Sequence, residues 1–422
     1  MNKISFLIIG VFLSFQLMSG QNDTIQSSYF LSQVDSIVED GIRQKAFPGA
    51  QILVAHKDSI LFHKAYGFHT YDSITPVSNA DLYDLASVTK ILGPLPALMK
   101  LVDEGKINLD APFSNYWKPW KKFKNKRDIT LREILAHQAG LQPYIVFLNK
   151  VMKKNGALKR RFVRTKSSKR FQNEAYPGRY IKNRFDRKVD RHINRSAVNS
   201  EKTYRYSGLT FLVFPRLIEQ LTHKKYTTYL QEEFYQPVGA TTLGFTPKKH
   251  GLSNPIVPTE IDTLFRNSLT QGWVHDENAA LLGGVSGNAG LFGTAEDVFK
   301  MLKLYKNLGE IEGKQLLRKQ TVHTFITTQY PENNNRRGLG FDKPLLGNDS
   351  LSLSDAYPAP KTSPRSFGHA GFTGTFAWAD PEHDLIFVFL SNRVYPSRES
   401  RGLYTLNIRP KLQQVFYSWL ID

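Results

Sequence analysis

The apolar positions of the chain follow two periods. Leu31, Val34, Ile37, Val38 and Ile42 recur at three- and four-residue spacing and predict an amphipathic helix ending before Phe47-Pro48-Gly49. Gln51 to His56 and Ser59 to Lys64 then read as strands joined at Lys57 and Asp58, a hairpin. Near the other end, Thr375 to Ala379 and Leu385 to Ser391 flank Asp380-Pro381-Glu382-His383-Asp384, a second hairpin. Ile408, Leu412, Val415, Phe416, Trp419 and Leu420 follow as a terminal amphipathic helix. Between them the pattern is mainly helical. Thr130 to Ala136 has Thr130 as N-cap and Glu133 three residues on, a capping-box pattern. Leu209 to Leu221 and Ala295 to Tyr305 are further helices. An apolar, helix-compatible run extends from Ser87 through Leu101 to Glu104 and stops at Gly105, a suitable C-cap. Pro94 and Pro96 lack the N–H that would bond the preceding turn, so a kink or a break is expected soon after Lys90. Strands at both termini with helices between them predict an α+β fold. Its antiparallel sheet forms from both chain ends and is flanked by helices, with a mainly helical lobe, roughly residues 90–290, inserted.

Composition narrows the chemistry. The 422 residues contain no cysteine, which excludes a disulfide scaffold, a thiolate nucleophile, Cys-ligated zinc and iron–sulfur clusters. Covalent catalysis must then use oxygen or nitrogen. Lys3 precedes an apolar run from Ile4 to Met18 that ends in Ser19 and Gly20. That run is shorter than the roughly 20 residues a membrane span needs, so residues 1–20 read as a cleavable signal peptide and the protein as secreted or periplasmic. Residues 28–422 are expected to form one catalytic domain with no stable transmembrane helix after processing. The formal charge is +19. Residues 150–202 carry about 18 basic and about 4 acidic side chains, so roughly +14 of it belongs to one segment. Phe162, Phe171, Tyr176, Tyr180 and Phe185 are interleaved there. The segment reads as a partly helical insertion over the cleft that contacts an anionic envelope polymer, or as a solvated surface. Export argues against nucleic acid as its partner.

Ser87-Val88-Thr89-Lys90 is the one S-x-x-K in the chain. On a helix the i and i+3 side chains share a face, so the hydroxyl and the amine can meet, and a neutral amine can take the hydroxyl proton. A serine at a helix start also gains from free backbone N–H groups, which favour a developing oxyanion. Two further segments belong with it: Tyr204-Arg205-Tyr206-Ser207-Gly208 before a helical run, and Gly368-His369-Ala370-Gly371-Phe372-Thr373-Gly374 before a strand. G-x-S-x-G, H-E-x-x-H, Walker-type and G-x-G-x-x-G motifs are absent, so no metal, nucleotide or other cofactor is expected.

The order and spacing of these segments resemble the serine β-lactamase and penicillin-binding-protein family, in particular its class C-like branch of esterases and D-amino-acid peptidases. Phe47-Pro48-Gly49-Ala50, Leu135-Ala136-His137-Gln138-Ala139-Gly140-Leu141, Val274 to Ala279 and Gly290 to Ala295 extend the likeness from about residue 30 to the C-terminus. The resemblance implies a β-lactamase/transpeptidase-like fold and a serine hydrolase acting through an acyl-enzyme on the ester or amide bonds of a small molecule or peptide. By it, Ser87 is the nucleophile, Lys90 takes its proton with help from Tyr206, and the N–H groups of Ser87 and Phe372 form the oxyanion hole. His369 and Gly371 stand for the K-T-G or H-x-G element that lines the substrate. Gly208 departs from the usual Asn or Asp of the Y-x-N element, which counts against amides, β-lactams included, more than against esters. A D-alanyl carboxypeptidase or β-lactamase, and a catalytically silent cell-wall-binding homologue, are the rival readings. His137, His275, Asp276 and Asn278 read as hydrogen-bonding residues of buried loops, and Arg393 as a structural ion pair.

Overall fold

A computed structural model describes residues 28–249 and 251–421. The expected signal peptide lies outside the described residues. The first helix, α1, covers 28–43 and leads into strands β1 (Gly49–His56) and β2 (Ser59–Gly67). Lys57 and Asp58 both have left-handed backbones, with φ of 50° and 62°, the two-residue hairpin geometry that matches strand twist. The chain then forms short helices α2 (Thr89–Leu92) and α3 (Pro94–Asp103), and later α4 (Asp186–Arg195) and α5 (Ala295–Lys306). Strands β3 (Phe367–Ala370), β4 (Phe376–Asp380) and β5 (Leu385–Ser391) precede the terminal helix α6 (Ile408–Leu420).

These five strands make one antiparallel sheet in the order β3-β4-β5-β1-β2. β1 pairs with β5 from Ala50↔Ser391 to His56↔Leu385, so the two ends of the chain meet inside the sheet, as the hydrophobic pattern predicts. Both faces of β1 are covered, which is why its residues form an almost unbroken apolar run rather than a half-polar alternation. Ile52, Val54, Phe387 and Phe389 pack with Val34 and Val38 of α1 and Leu412 and Phe416 of α6. Leu53, Ala55, Val388 and Leu390 face the other way, into the larger core that holds Val298 and Leu302 of α5 and the helical lobe.

The proline question resolves as a break. Gly93 leaves the helical region (φ −100°, ψ −92°), and α3 restarts with Pro94 at its first position, where a missing N–H leaves no carbonyl unpaired. Thr130 and Glu133 form the expected capping box. The basic insertion is partly helical, as expected, and it also holds strands that its composition does not announce. Alongside α4 it contains a three-stranded antiparallel sheet of Val163–Arg164, Asn173–Tyr176 and Arg179–Ile181. The buried Val163, Ala175, Tyr176 and Ile181 supply its apolar face, a pattern that the surrounding cations mask. Among the described residues no helix is long and apolar enough to cross a membrane.

α6 is tied to the sheet by one carboxylate. Asp380, fully buried at the end of β4, accepts from the Ser363 N–H at 2.9 Å and the Tyr417 hydroxyl at 2.7 Å, with His383 Nδ1 at 2.9 Å. Removing it orphans several buried donors at once. Asp380→Ala is expected to lower the urea-unfolding free energy by about 3 kcal/mol, and Tyr417→Phe by about 1 kcal/mol.

Candidate active site

The segment before Ser87 is held by backbone pairing and a buried acid. The short strand Tyr83–Asp84 pairs with Leu291–Gly293, and the Leu85 N–H donates to the Leu291 carbonyl at 3.0 Å. Asp84 accepts from the N–H of Ala86 at 2.9 Å and of His275 at 2.6 Å. Burial pushes its carboxyl above the ordinary range, and these two N–H groups offset only part of that. Ala86 is left-handed (φ 45°), a turn that swings Ser87 to the surface of a 3-10 helix whose other members, Ala86 and Val88, are buried.

One turn on lies Lys90, 2% exposed. Its ammonium donates to Ser87 Oγ and to the Asn288 carbonyl, each at 2.9 Å, and stands 5.6 Å from the ring centres of both Tyr206 and Phe211. Tyr206 lies among four charged or ionisable groups: Lys90, the Arg337 guanidinium at 5.6 Å, and the rings of His137 at 4.6 Å and His369 at 6.2 Å. Burial pushes its phenol up, but Lys90, Arg337 and hydrogen bonding with Lys90 and Ser87 together outweigh it. The net shift is downward from the ordinary value near 10. Arg337 is itself buried and pairs with Asp342 at 3.0 Å, which also takes Arg336 at 2.9 Å.

His369 sits on β3, an edge strand of the sheet. Its Nδ1 lies 2.7 Å from the Ala370 carbonyl, so Nδ1 carries the proton and Nε2, with no partner among the described residues, is a bare acceptor. Burial, then Arg337 and Lys90, push it down to about 3, so it is neutral at working pH. His137 accepts from the Ser207 N–H at Nδ1, which leaves its proton on Nε2, and burial drives its pKa well below the ordinary value too.

Residues 371–375 dock onto the segment before Ser87. The Thr373 hydroxyl donates to the Asp84 carbonyl at 2.8 Å and the Thr375 hydroxyl to the Leu85 carbonyl at 3.0 Å. A Cβ at position 371 would lie 2.7 Å from the Leu85 oxygen and 2.0 Å from Thr375 Oγ1, so only glycine fits. Phe372 is thereby brought beside residues 85–87. Its ring, 48% exposed, lies between the His275 ring at 5.6 Å and the Arg393 guanidinium at 4.6 Å. His275 leans on Glu260 at 2.8 Å, and Arg398 bonds Glu260 and Glu277. Arg393 forms no ion pair among the described residues, contrary to expectation. Its Nη1 donates instead to the carbonyls of Arg398 and Ser400, and the guanidinium lies over the ring of Tyr404. A Cβ at Gly208 would meet nothing within 4 Å.

Ser87, Lys90, Tyr206, His369, Gly371 and Phe372 thus converge from three distant segments. Arg337, Asp342 and the Asn288 carbonyl join them without any signal in the motifs. A five-stranded sheet that unites both termini, a helical lobe, and a Ser–Lys–Tyr cluster beside the edge strand define the β-lactamase/transpeptidase-like fold. The chain belongs to the Beta-lactamase family, which it matches over residues 34–408. It is 29% identical to a "Putative D-alanyl-D-alanine carboxypeptidase" of Salmonella agona (strain SL483), across 93% of this chain and 89% of the relative. Its fold is similar to that of EstCE1, a hydrolase with promiscuous acyltransferase activity (TM-score 0.65, 17% identity, 92% of this chain and 99% of that one). It is also similar to a class C β-lactamase from Rhodobacter sphaeroides (TM-score 0.64, 15% identity, 91% and 99%).

A histidine kept neutral by burial makes stability depend on pH. Between the unfolded value near 6.5 and about 3, the unfolded chain binds a proton at His369 that the folded chain refuses, so stability falls as pH falls. His369→Gln is expected to flatten the acid slope of the urea-unfolding free energy by about 1.4 kcal/mol per pH unit between pH 6 and 4. An unchanged slope would show that the ring is not held neutral.

Proposed function

We propose that this chain is an exported serine hydrolase that works through an acyl-enzyme and favours esters over amides. The observation that carries the reading is the buried Lys90 ammonium 2.9 Å from the part-buried Ser87 Oγ. Because Lys90 donates to that oxygen, the geometry favours Tyr206 as the group that takes the proton, with Lys90 and Arg337 holding its oxygen toward phenolate. Ser87 Oγ attacks the substrate carbonyl, an O–C bond forms, and the carbonyl electron pair moves to oxygen. The N–H groups of Ser87 and Phe372 receive that oxyanion, each worth about 3 kcal/mol at such a site. Collapse expels the alcohol, which takes its proton from Tyr206. Water then attacks the acyl-enzyme, again losing its proton to Tyr206, and the acid leaves as Ser87 is restored.

His369 and Gly371 stand beside the proposed cleft: the first is held neutral with its bare Nε2 buried, the second allows close backbone approach. Gly208 supports the ester preference, since open space stands where an amide side chain would meet a substrate amide. The name carried by the Salmonella relative supports the second reading, hydrolysis of D-alanyl peptides. The apolar run of residues 4–18 supports export.

A fluorophosphonate probe followed by intact mass spectrometry is expected to add one adduct to the wild type and none to Ser87→Ala. Nitrophenyl-ester turnover should fall by about 100-fold or more in Tyr206→Phe and Lys90→Ala. Equal labelling of wild type and Ser87→Ala, or of neither, would overturn Ser87 as the nucleophile, and no labelling together with no ester turnover would leave the silent binding protein as the better account.

Gly208 separates the two substrate classes. Its backbone needs no positive φ and its Cβ position is empty, so Gly208→Asn is expected to fold and to keep ester turnover. Hydrolysis of a D-Ala-D-Ala peptide should rise by about tenfold, the value of one substrate hydrogen bond. A wild type that already cleaves the peptide faster than the ester would overturn the preference.

A further inference from the structure

The small sheet of the basic insertion and the loop around Arg266 line an open cavity of about 940 Å³. Arg160, Arg164, Lys166, Arg170 and Arg179 line it, and among the described residues none of the five forms an ion pair. The acids nearby are committed elsewhere. Asp262 is held by Arg266 at 2.7 Å, Asp190 pairs with Arg216, and Glu174 accepts from the Gly178 N–H and faces Lys249. The excess of cations in the sequence is therefore gathered around a concave space and left uncompensated.

The lining also says what kind of anion fits. The cavity lies near the upper end of the roughly 300–1,000 Å³ range of ligand sites, far larger than one inorganic anion needs. Ser167 and Ser168 add hydroxyls to the wall. The three aromatic residues lining it are covered by cations, Phe171 by Arg164 at 5.5 Å, Tyr176 by Arg179 at 5.9 Å and Phe265 by Arg266 at 5.3 Å. Single-stranded nucleic acid needs open ring faces on which bases stack, and these faces are taken. Arg266 joins the cavity wall to the reaction cleft: it also donates to the His275 carbonyl at 3.3 Å, and the His275 ring rests on Phe372.

We propose that this cavity binds an anionic oligosaccharide, a glycan bearing phosphate, sulfate or carboxylate groups, independently of the chemistry at Ser87. Charged groups on the sugar meet the five cations, and sugar hydroxyls meet the serine hydroxyls. The affinity falls steeply with salt, because each contact releases counterions.

The test is fluorescence anisotropy of the full chain with a labelled short sulfated dextran, in competition with neutral dextran, hexametaphosphate and oligo-dT. Arg160→Ser/Arg164→Ser/Arg170→Ser is expected to weaken binding by about tenfold and to flatten the salt dependence by about two units of log–log slope. Lys153→Ser/Lys154→Ser/Lys182→Ser removes the same charge from exposed positions outside the cavity and should change affinity by less than about twofold. The charge-keeping triple of Arg160→Lys, Arg164→Lys and Arg170→Lys should retain binding, and the thermal midpoints of all three variants show whether the fold is intact. Equal losses in both serine triples would overturn the proposal in favour of diffuse surface charge. Oligo-dT competing as well as sulfated dextran would overturn it in favour of nucleic acid, and hexametaphosphate doing so would overturn the sugar requirement.

Discussion

Burying the Lys90 ammonium with no carboxylate beside it among the described residues is the constraint on which the site depends. An unpaired charge in the interior costs several kcal/mol, and the compensation must come from oriented dipoles and ring faces. Here it comes from Ser87 Oγ, the Asn288 carbonyl, and the rings of Tyr206 and Phe211. Asn288 is fixed in turn by Asp276, which caps the helix Glu277–Leu281 through the Ala279 N–H and accepts from the Asn288 amide at 3.2 Å. A residue that reads as a loop hydrogen-bonder thus helps to set the position of the lysine.

Arg337 supplies a second buried cation and gives a physical reason for the histidine form of the K-T-G or H-x-G element. A lysine in place of His369 would add a third positive charge beside Lys90 and Arg337, with Asp342 already shared by Arg336 and Arg337. A histidine held neutral avoids that repulsion. The charges that act on Tyr206 therefore come from a short motif and from a distant arginine, rather than from two motifs.

Side chains that act through local spacing were legible in the sequence. Ser87 and Lys90 meet because they are three residues apart, the capping box at Thr130 and Glu133 is local, and the strands at both ends show as short apolar runs beside turn residues. What stayed hidden acts across the fold. Arg337 and Asp342 carry no pattern of their own, Asn288 acts through its backbone, and Arg393 meets carbonyls and ring faces that no charge pattern shows. The strands of the insertion were masked in the same way, since cations dominate its composition while four scattered apolar residues decide its fold.

The left-handed Ala86 shows how the geometry at Ser87 is maintained. A non-glycine residue in that conformation costs about 1–2 kcal/mol and persists only where its surroundings over-determine it. They do: the Asp84 carboxylate takes the Ala86 N–H, the Leu85 N–H is taken by Leu291, and the carbonyls of Asp84 and Leu85 are taken by Thr373 and Thr375. The two threonines belong to the loop that carries Phe372, so the bonds that sustain the turn also fix that loop against it. Relaxing either segment would release the other. The proposed nucleophile and the proposed second oxyanion donor are therefore positioned by one hydrogen-bonded unit before any substrate arrives, which is the condition under which fixed dipoles lower a barrier.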